Sequence, residues 1–205
     1  MIKNIVFDMG NVLLRFDPNL FMEREKVPEA DRPLLLREVY QSLEWSRMDR
    51  GSLTDEEAAA IICKRVPERL HEQVFHLVTF WDRPILEIEG MPALVRELKE
   101  LGYGIYLLSN ASYRQHEYWP RLSVSPLFDG TLISADVKLV KPQPEIFLLF
   151  CSTFGLKPDE CFFIDDSTLN VEGAFFCGIP GAVFHQDAAE LRQKLRSAGV
   201  PVSEG

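Results

Sequence analysis

Asp8, Ser109, Lys141 and the pair Asp165-Asp166 are the residues of this 205-residue chain whose types and positions could do chemistry. Each follows a short apolar run. "NIVF" delivers Asp8, "GIYLL" delivers Ser109 and Asn110, "GTLISADV" leads to Lys138 and then Lys141, and "CFFI" delivers Asp165 and Asp166. Taken singly, each is ordinary: an Asp or Ser-Asn after a strand caps a helix or makes a turn, and a Lys before Pro lies in a solvated loop. Taken together they are less ordinary, because adjacent acids at a strand end repel unless a cation offsets them. Hard divalent cations such as Mg²⁺ prefer oxygen ligands and are often held by one or two carboxylates plus a substrate phosphate.

These residues converge only if the apolar runs are parallel neighbours in one sheet. The runs Ile5–Phe7, Gly104–Leu108, Gly130–Ala135 and Cys161–Ile164 are continuous rather than alternating, the mark of strands buried on both faces. Gly181–His185 is a candidate fifth. Helical patterns lie between them at Met91–Leu101, Glu145–Phe154 and Leu169–Cys177. Strands alternating with helices imply an α/β fold, a doubly wound and mostly parallel Rossmann-like sheet, which binds ligands at the carboxyl ends of its strands.

Residues 18–85 break the rhythm and hold no convincing strand. Pro33–Tyr40, Glu56–Val66 and His71–Trp81 read as amphipathic helices, with Thr54 and Glu57 spaced as a capping box. This segment reads as a helical insert, a cap subdomain, between residues 1–17 and 86–205 of the α/β core.

Composition narrows the partners. The chain is 46% apolar and carries a net charge of −9. With no Lys/Arg-rich run, it lacks the basic face that nucleic-acid binding needs. No apolar run reaches the ~18 residues of a membrane span. Cys63, Cys151, Cys161 and Cys177 show no CxxC pairing and read as reduced thiols. Met1-Ile2-Lys3 runs directly into the first strand, so no signal peptide is expected and a cytoplasmic monomer or homodimer is the default.

The ordered motifs "FDMGNVL", "LLSN", "KPQPEIF" and "FIDDSTLNVEGA" resemble the four motifs of the haloacid dehalogenase-like (HAD) hydrolases, over nearly the whole chain. The helical insert matches that family's small cap. "WSRMDRGSLTDEE" (Trp45 to Glu57) and "SNASYRQHEYWP" (Ser109 to Pro120) are similar to the branch whose first motif reads Asp-x-Gly-Asn-Val, which includes phosphatases of sugar phosphates such as glucose 1-phosphate. The resemblance implies a Mg²⁺-dependent phosphatase of small phosphate esters. Asp8 would be the nucleophile that forms an aspartyl-phosphate. Gly10 would offer its backbone carbonyl to Mg²⁺ and Asp166 its carboxylate, with Asp165 one shell further out and Asn170 orienting them. Ser109 would donate to the transferring phosphoryl, and Lys141, favoured over Lys138 by its Lys-Pro context, would neutralise charge. Asn110, Trp45, Arg47 and Arg50 are candidates for holding the substrate, Arg for a second anionic group and Trp for stacking on a sugar. Trp81 reads as cap core, and Trp119 is a further candidate for the site wall.

Gly10 departs from the pattern. Many family phosphatases carry a second Asp there, which protonates the leaving group and later activates water. Three explanations stay open: the leaving group is acidic enough, as an anomeric hydroxyl is; another residue such as Asp17 or His116 substitutes; or hydrolysis is lost and the chain only binds. The family's founding activity, metal-independent displacement of halide from 2-haloacids, is a further alternative, though it does not need the Asp165-Asp166 pair.

Overall fold

The computed structural model describes residues 1–204. Its frame is one sheet of five strands, β1 (Asn4–Phe7), β2 (Gly104–Ser109), β3 (Gly130–Ile133), β4 (Cys161–Asp165) and β5 (Gly181–Val183). All neighbours run parallel in the order β3-β2-β1-β4-β5. β1 sits at the centre, where the strand order reverses, and such switch points open a crevice at the strands' carboxyl ends. The register puts Phe7 beside Leu107 and Ile164. Asp8, Ser109 and Asp165 therefore arrive at one edge. Ile5, Phe7, Ile105, Leu107 and Ile164 are fully buried, as continuous apolar strands between two helical layers should be.

Over residues 18–85, between β1 and β2, the described chain forms helices and no strand: α1 (Pro18–Arg24), α2 (Arg32–Leu35), α3 (Leu43–Asp49), α4 (Asp55–Cys63) and α5 (His71–Thr79). The linkers into and out of this insert run side by side. Arg15 N–H donates to the Leu86 carbonyl at 2.7 Å and Ile88 N–H to the Leu13 carbonyl at 3.0 Å. Asp17 caps α1, its carboxylate accepting from the backbone N–H groups of Asn19 and Leu20. Thr54 and Glu57 form the capping box that opens α4. The remaining helices follow the sheet: α6 (Met91–Glu100), α7 (Gln115–Tyr118), α8 (Ser134–Val137), α9 (Pro144–Phe154), α10 (Thr168–Phe176) and α11 (Ala188–Ser197).

Several expectations shift. The run Gly130–Ala135 does not stay extended: the chain turns into α8 at Ser134, whose buried hydroxyl donates to the carbonyl of Asp49 and accepts from the Ala111 N–H at 2.9 Å. Tertiary hydrogen bonding overrides strand propensity there. Gly181–His185 is a strand only to Val183. Pro33–Tyr40 begins as α2 and widens into a π-turn over Leu36–Tyr40. Neither α3 nor α11 is foreseen from the sequence.

Gly51, just after α3, packs the insert against α8 at the end of β3. Its φ is +68°, and a Cβ there would lie 2.4 Å from the Ala135 carbonyl oxygen. Its own carbonyl accepts from Lys138, whose ammonium also reaches the Tyr113 hydroxyl. Only glycine allows both this left-handed turn and this approach.

Candidate active site

Lys141 organises the sheet edge. Its Nζ donates to Asp8 Oδ1 at 2.7 Å, to Asp165 Oδ2 at 2.6 Å and to the Leu108 carbonyl at 2.9 Å. The Lys141 side chain is 1% exposed, and those of Asp8 and Asp165 are 11% and 0% exposed. In so little water these are strong, geometry-dependent contacts, and none of the partners is tolerable alone. Burial opposes the charge on Lys141, yet Asp165 and Asp8 outweigh it and raise its pKa. Burial pushes the Asp8 carboxyl up to about 7, against the pull of Lys141 and with Asp165 and Asp166 adding to the rise.

The backbone of Lys141 is also held. Asn110 Nδ2 donates to its carbonyl at 3.0 Å, and its N–H donates to Asn110 Oδ1 at 2.8 Å. The polar ends of the Asn110 amide are thus engaged with the chain itself. The residue lines the cavity and also clamps the lysine loop.

Asp165 is similarly committed. Its oxygens accept from Lys141, from Asn170 Nδ2 at 3.0 and 3.1 Å, and from the Ser167 N–H at 2.8 Å. Asp166 is exposed to the crevice, and its Oδ2 accepts from Asn11 Nδ2 at 3.2 Å. Burial raises its pKa. Asn11 stands at a φ of +54°, a conformation Asn tolerates, and its Oδ1 accepts from the Phe16 N–H. It ties the loop after β1 to the loop after β4.

Carboxylate oxygens of Asp8, Asp165 and Asp166 lie within 4.8 Å of one another. Among the described residues, Asp8 Oδ2, Asp166 Oδ1 and the Gly10 carbonyl accept no hydrogen bond. Uncommitted hard oxygens beside clustered acids fit a small divalent cation such as Mg²⁺. Asp8, Gly10 and Asp166 are the residues that could hold it, with Asp165 fixing their surroundings.

These groups floor a cavity of about 210 Å³. Ser109, 3% exposed, lines it beside Asp8. The opposite wall comes from the helical insert and its linker: Phe16, Trp45, Met48, Val78 and Trp81, with Tyr118 from α7. The rings interlock, Phe16 lying 5.5 Å from Trp45 and 5.1 Å from Trp81, and Trp81 5.0 Å from Tyr118. Trp81 is both insert core and cavity wall.

Arg47 and Arg50 are exposed and do not line the cavity. The reason is helical phase: in α3, Trp45, Met48 and Asp49 share one stripe, and Arg47 points elsewhere. Trp119 packs edge-on against Phe128, and His116 pairs with Asp136 on the surface. Neither lines the cavity, nor does Asp17 or Lys138.

Sequence reasoning missed two acids of the insert, Asp49 and Asp55, which line the cavity together with Asp8 and Asp166. Burial first, then the charges of Asp8 and Asp55, push the Asp49 carboxyl up to about 7. Burial also raises Asp55, against a hydrogen bond from Ser112 and the charge of Arg114. Four carboxylates and one ammonium thus face a single small space.

A family model described as a haloacid dehalogenase-like hydrolase matches residues 2–178. The chain belongs to that family. A HAD family enzyme from Bacteroides thetaiotaomicron, solved in complex with magnesium and inorganic phosphate, superposes with a TM-score of 0.73. It is 25% identical, over 93% of this chain and 99% of that one. A sesquiterpene phosphatase of Aspergillus oryzae is 27% identical over 93% of this chain and 95% of its own length. A flavin mononucleotide hydrolase of Arabidopsis thaliana is 29% identical over 57% of this chain, and the chain spans 47% of that protein.

Proposed function

We propose that the protein is a Mg²⁺-dependent phosphatase of small phosphate monoesters. The observation that carries this reading is the state of Asp8. One carboxylate oxygen is pinned by Lys141, and the other is uncommitted at the floor of an acid-rich cavity. A carboxylate so held is oriented for in-line attack on phosphorus, and it presents little conformational freedom to lose.

In this reading Asp8 attacks the phosphorus, forms an aspartyl-phosphate and is regenerated by water. Lys141 offsets charge on Asp8 and on the incoming phosphoryl, and the Ser109 hydroxyl donates to a phosphoryl oxygen. Asn110 holds the lysine loop, and Asn170 with the Ser167 N–H holds Asp165. Bound Mg²⁺ supplies the remaining charge compensation that a dianion needs in a cavity lined by four carboxylates.

The insert acts as the cap that closes on the substrate's organic part, so the core is residues 1–17 and 86–205 and the cap residues 18–85. Among the described residues, no arginine lines the cavity, which favours a substrate with one anionic group. Trp45, Trp81 and Phe16 offer flat faces, and a sugar monophosphate could lay its apolar face on them. A second reading follows from the same wall: Met48, Val78 and the rings also suit a hydrocarbon monophosphate, the chemistry of the Aspergillus relative's name.

A panel of sugar 1-phosphates, sugar 6-phosphates, prenyl monophosphates and nucleotides, with Mg²⁺ and with EDTA, tests the reading. Turnover of a phosphate monoester that EDTA abolishes is the expected result. Turnover of 2-haloacids that survives EDTA would replace it with a dehalogenase, and the best substrate in the panel decides between the sugar and the hydrocarbon.

A further inference from the structure

Gly10 leaves the core without a second acid, and the leaving group's proton must come from elsewhere. The expected substitutes fail on position, since Asp17 caps α1 and His116 pairs with Asp136 outside the cavity. A carboxylate does enter from the opposite wall. Asp49 is the last residue of α3, and it faces the cavity floored by Asp8, Gly10 and Ser109.

Three features single out Asp49. First, among the described residues no ion pair or hydrogen bond engages its carboxylate, whereas Asp8 and Asp166 both accept side-chain hydrogen bonds. Second, its backbone is fixed: its carbonyl accepts from the buried Ser134 hydroxyl, and two residues on Gly51 packs its backbone against Ala135 of α8. The side chain therefore hangs from a clamped turn over the sheet edge. Third, the groups facing it are Asp8 and Asp55, which favour its protonated form, and Lys141, which opposes it.

We propose that Asp49, delivered by the helical insert, is the general acid and base of the reaction, standing in for the carboxylate that Gly10 cannot supply. The inference rests on the phosphatase reading above. As Asp8 attacks, the bond from phosphorus to the leaving oxygen breaks, and the Asp49 carboxylic acid gives that oxygen its proton. The aspartyl-phosphate and the Asp49 carboxylate remain. Asp49 then takes a proton from water as the water oxygen bonds to phosphorus. The bond from phosphorus to Asp8 breaks, releasing inorganic phosphate, an ionised Asp8 and a reprotonated Asp49. Acid–base assistance of this kind is worth about 10²- to 10⁴-fold in rate. The arrangement also ties chemistry to closure, because the proton donor is in place only when the insert sits on the core.

Leaving-group dependence tests this directly. Wild type, Asp49→Asn and Asp8→Asn are compared on p-nitrophenyl phosphate, whose leaving group needs no proton, and on phenyl phosphate, whose leaving group does. Thermal unfolding checks that each variant folds, and Asp49→Ser serves as a second variant. For Asp49→Asn the expected result is a loss of about 100-fold or more on phenyl phosphate. On p-nitrophenyl phosphate the burst of nitrophenol should be preserved, with phosphoenzyme accumulating on acid quench because its hydrolysis has lost its base. An unchanged variant, or one whose burst falls equally on both esters, overturns the proposal. If wild type loses activity through Asp8→Asn but not through Asp49→Asn, only this inference falls. If wild type turns over neither ester, the phosphatase reading falls and takes this one with it.

Discussion

The two walls of the cavity are built by different rules. The floor is made at strand ends: Asp8 directly follows β1, Ser109 and Asp165 are the last residues of β2 and β4, and parallel register brings them together. The roof is made by helix faces, and Trp45, Met48 and Asp49 reach the cavity because they share a stripe of α3. The floor is rigid, charged and tightly bonded. The roof is aromatic, and the position of its acid Asp49 depends on how the insert docks. A chemical apparatus that must be preorganised sits on the sheet, while what must vary or move sits on the insert.

That contrast can be broken most forcefully at Lys141. Lys141→Ala leaves Asp8 and Asp165 buried without their cation, and removing one member of such a pair costs about 3–5 kcal/mol. Urea unfolding at pH 8 should show a loss of that order together with loss of activity. A stable, active variant would mean that the floor is not held by this pair.

The roof gives the opposite sign. The Asp49 carboxyl titrates at about 7 in the folded protein and at the ordinary 3.8 when free, so the native state binds its proton more tightly. Stability contributed by that proton is present below about pH 4 and is lost as pH rises through 7. Asp49→Asn should therefore unfold like wild type near pH 4 and be more stable than wild type at pH 8 in EDTA. A gain on the order of 2 kcal/mol is expected after allowing for solvent in the open cavity. Equal stability at pH 8 would show that Asp49 carries no such penalty. A residue whose loss stabilises the fold while slowing the reaction would mark the roof as the functional half of the insert.

The smallest effect belongs to the outer face of the same helix. Arg47→Ala and Arg50→Ala should change stability by less than about 0.5 kcal/mol and leave kcat/KM within a few-fold of wild type. A large rise in KM in either would place these arginines over the substrate after all.

The same division explains what could be read from the sequence. Each floor residue follows an apolar run that is itself a strand signal, so element and site were legible together. Lys141 over Lys138 was legible from its neighbour Pro142, and Lys138 instead anchors Gly51. The roof was opaque for a physical reason. Hydrophobic periodicity tells which face of a helix is buried but not what it is buried against. Arg47 and Arg50 were plausible by charge, yet α3 itself went unrecognised, and with it the stripe that exposes them and turns Asp49 inward. Asn11 could have been noticed, since a Gly-Asn pair marks a left-handed turn, but its bond to Asp166 spans most of the chain.

Everything above turns on Asp8 as the nucleophile, and trapping its phosphoryl adduct tests that most directly. Enzyme mixed with p-nitrophenyl phosphate and Mg²⁺, quenched in acid within the first turnovers and digested, should carry one phosphoryl group on the peptide that contains Asp8, labile to hydroxylamine and absent from Asp8→Asn. Turnover with no phosphoenzyme at Asp8, or a phosphoryl group found on another residue, would contradict it.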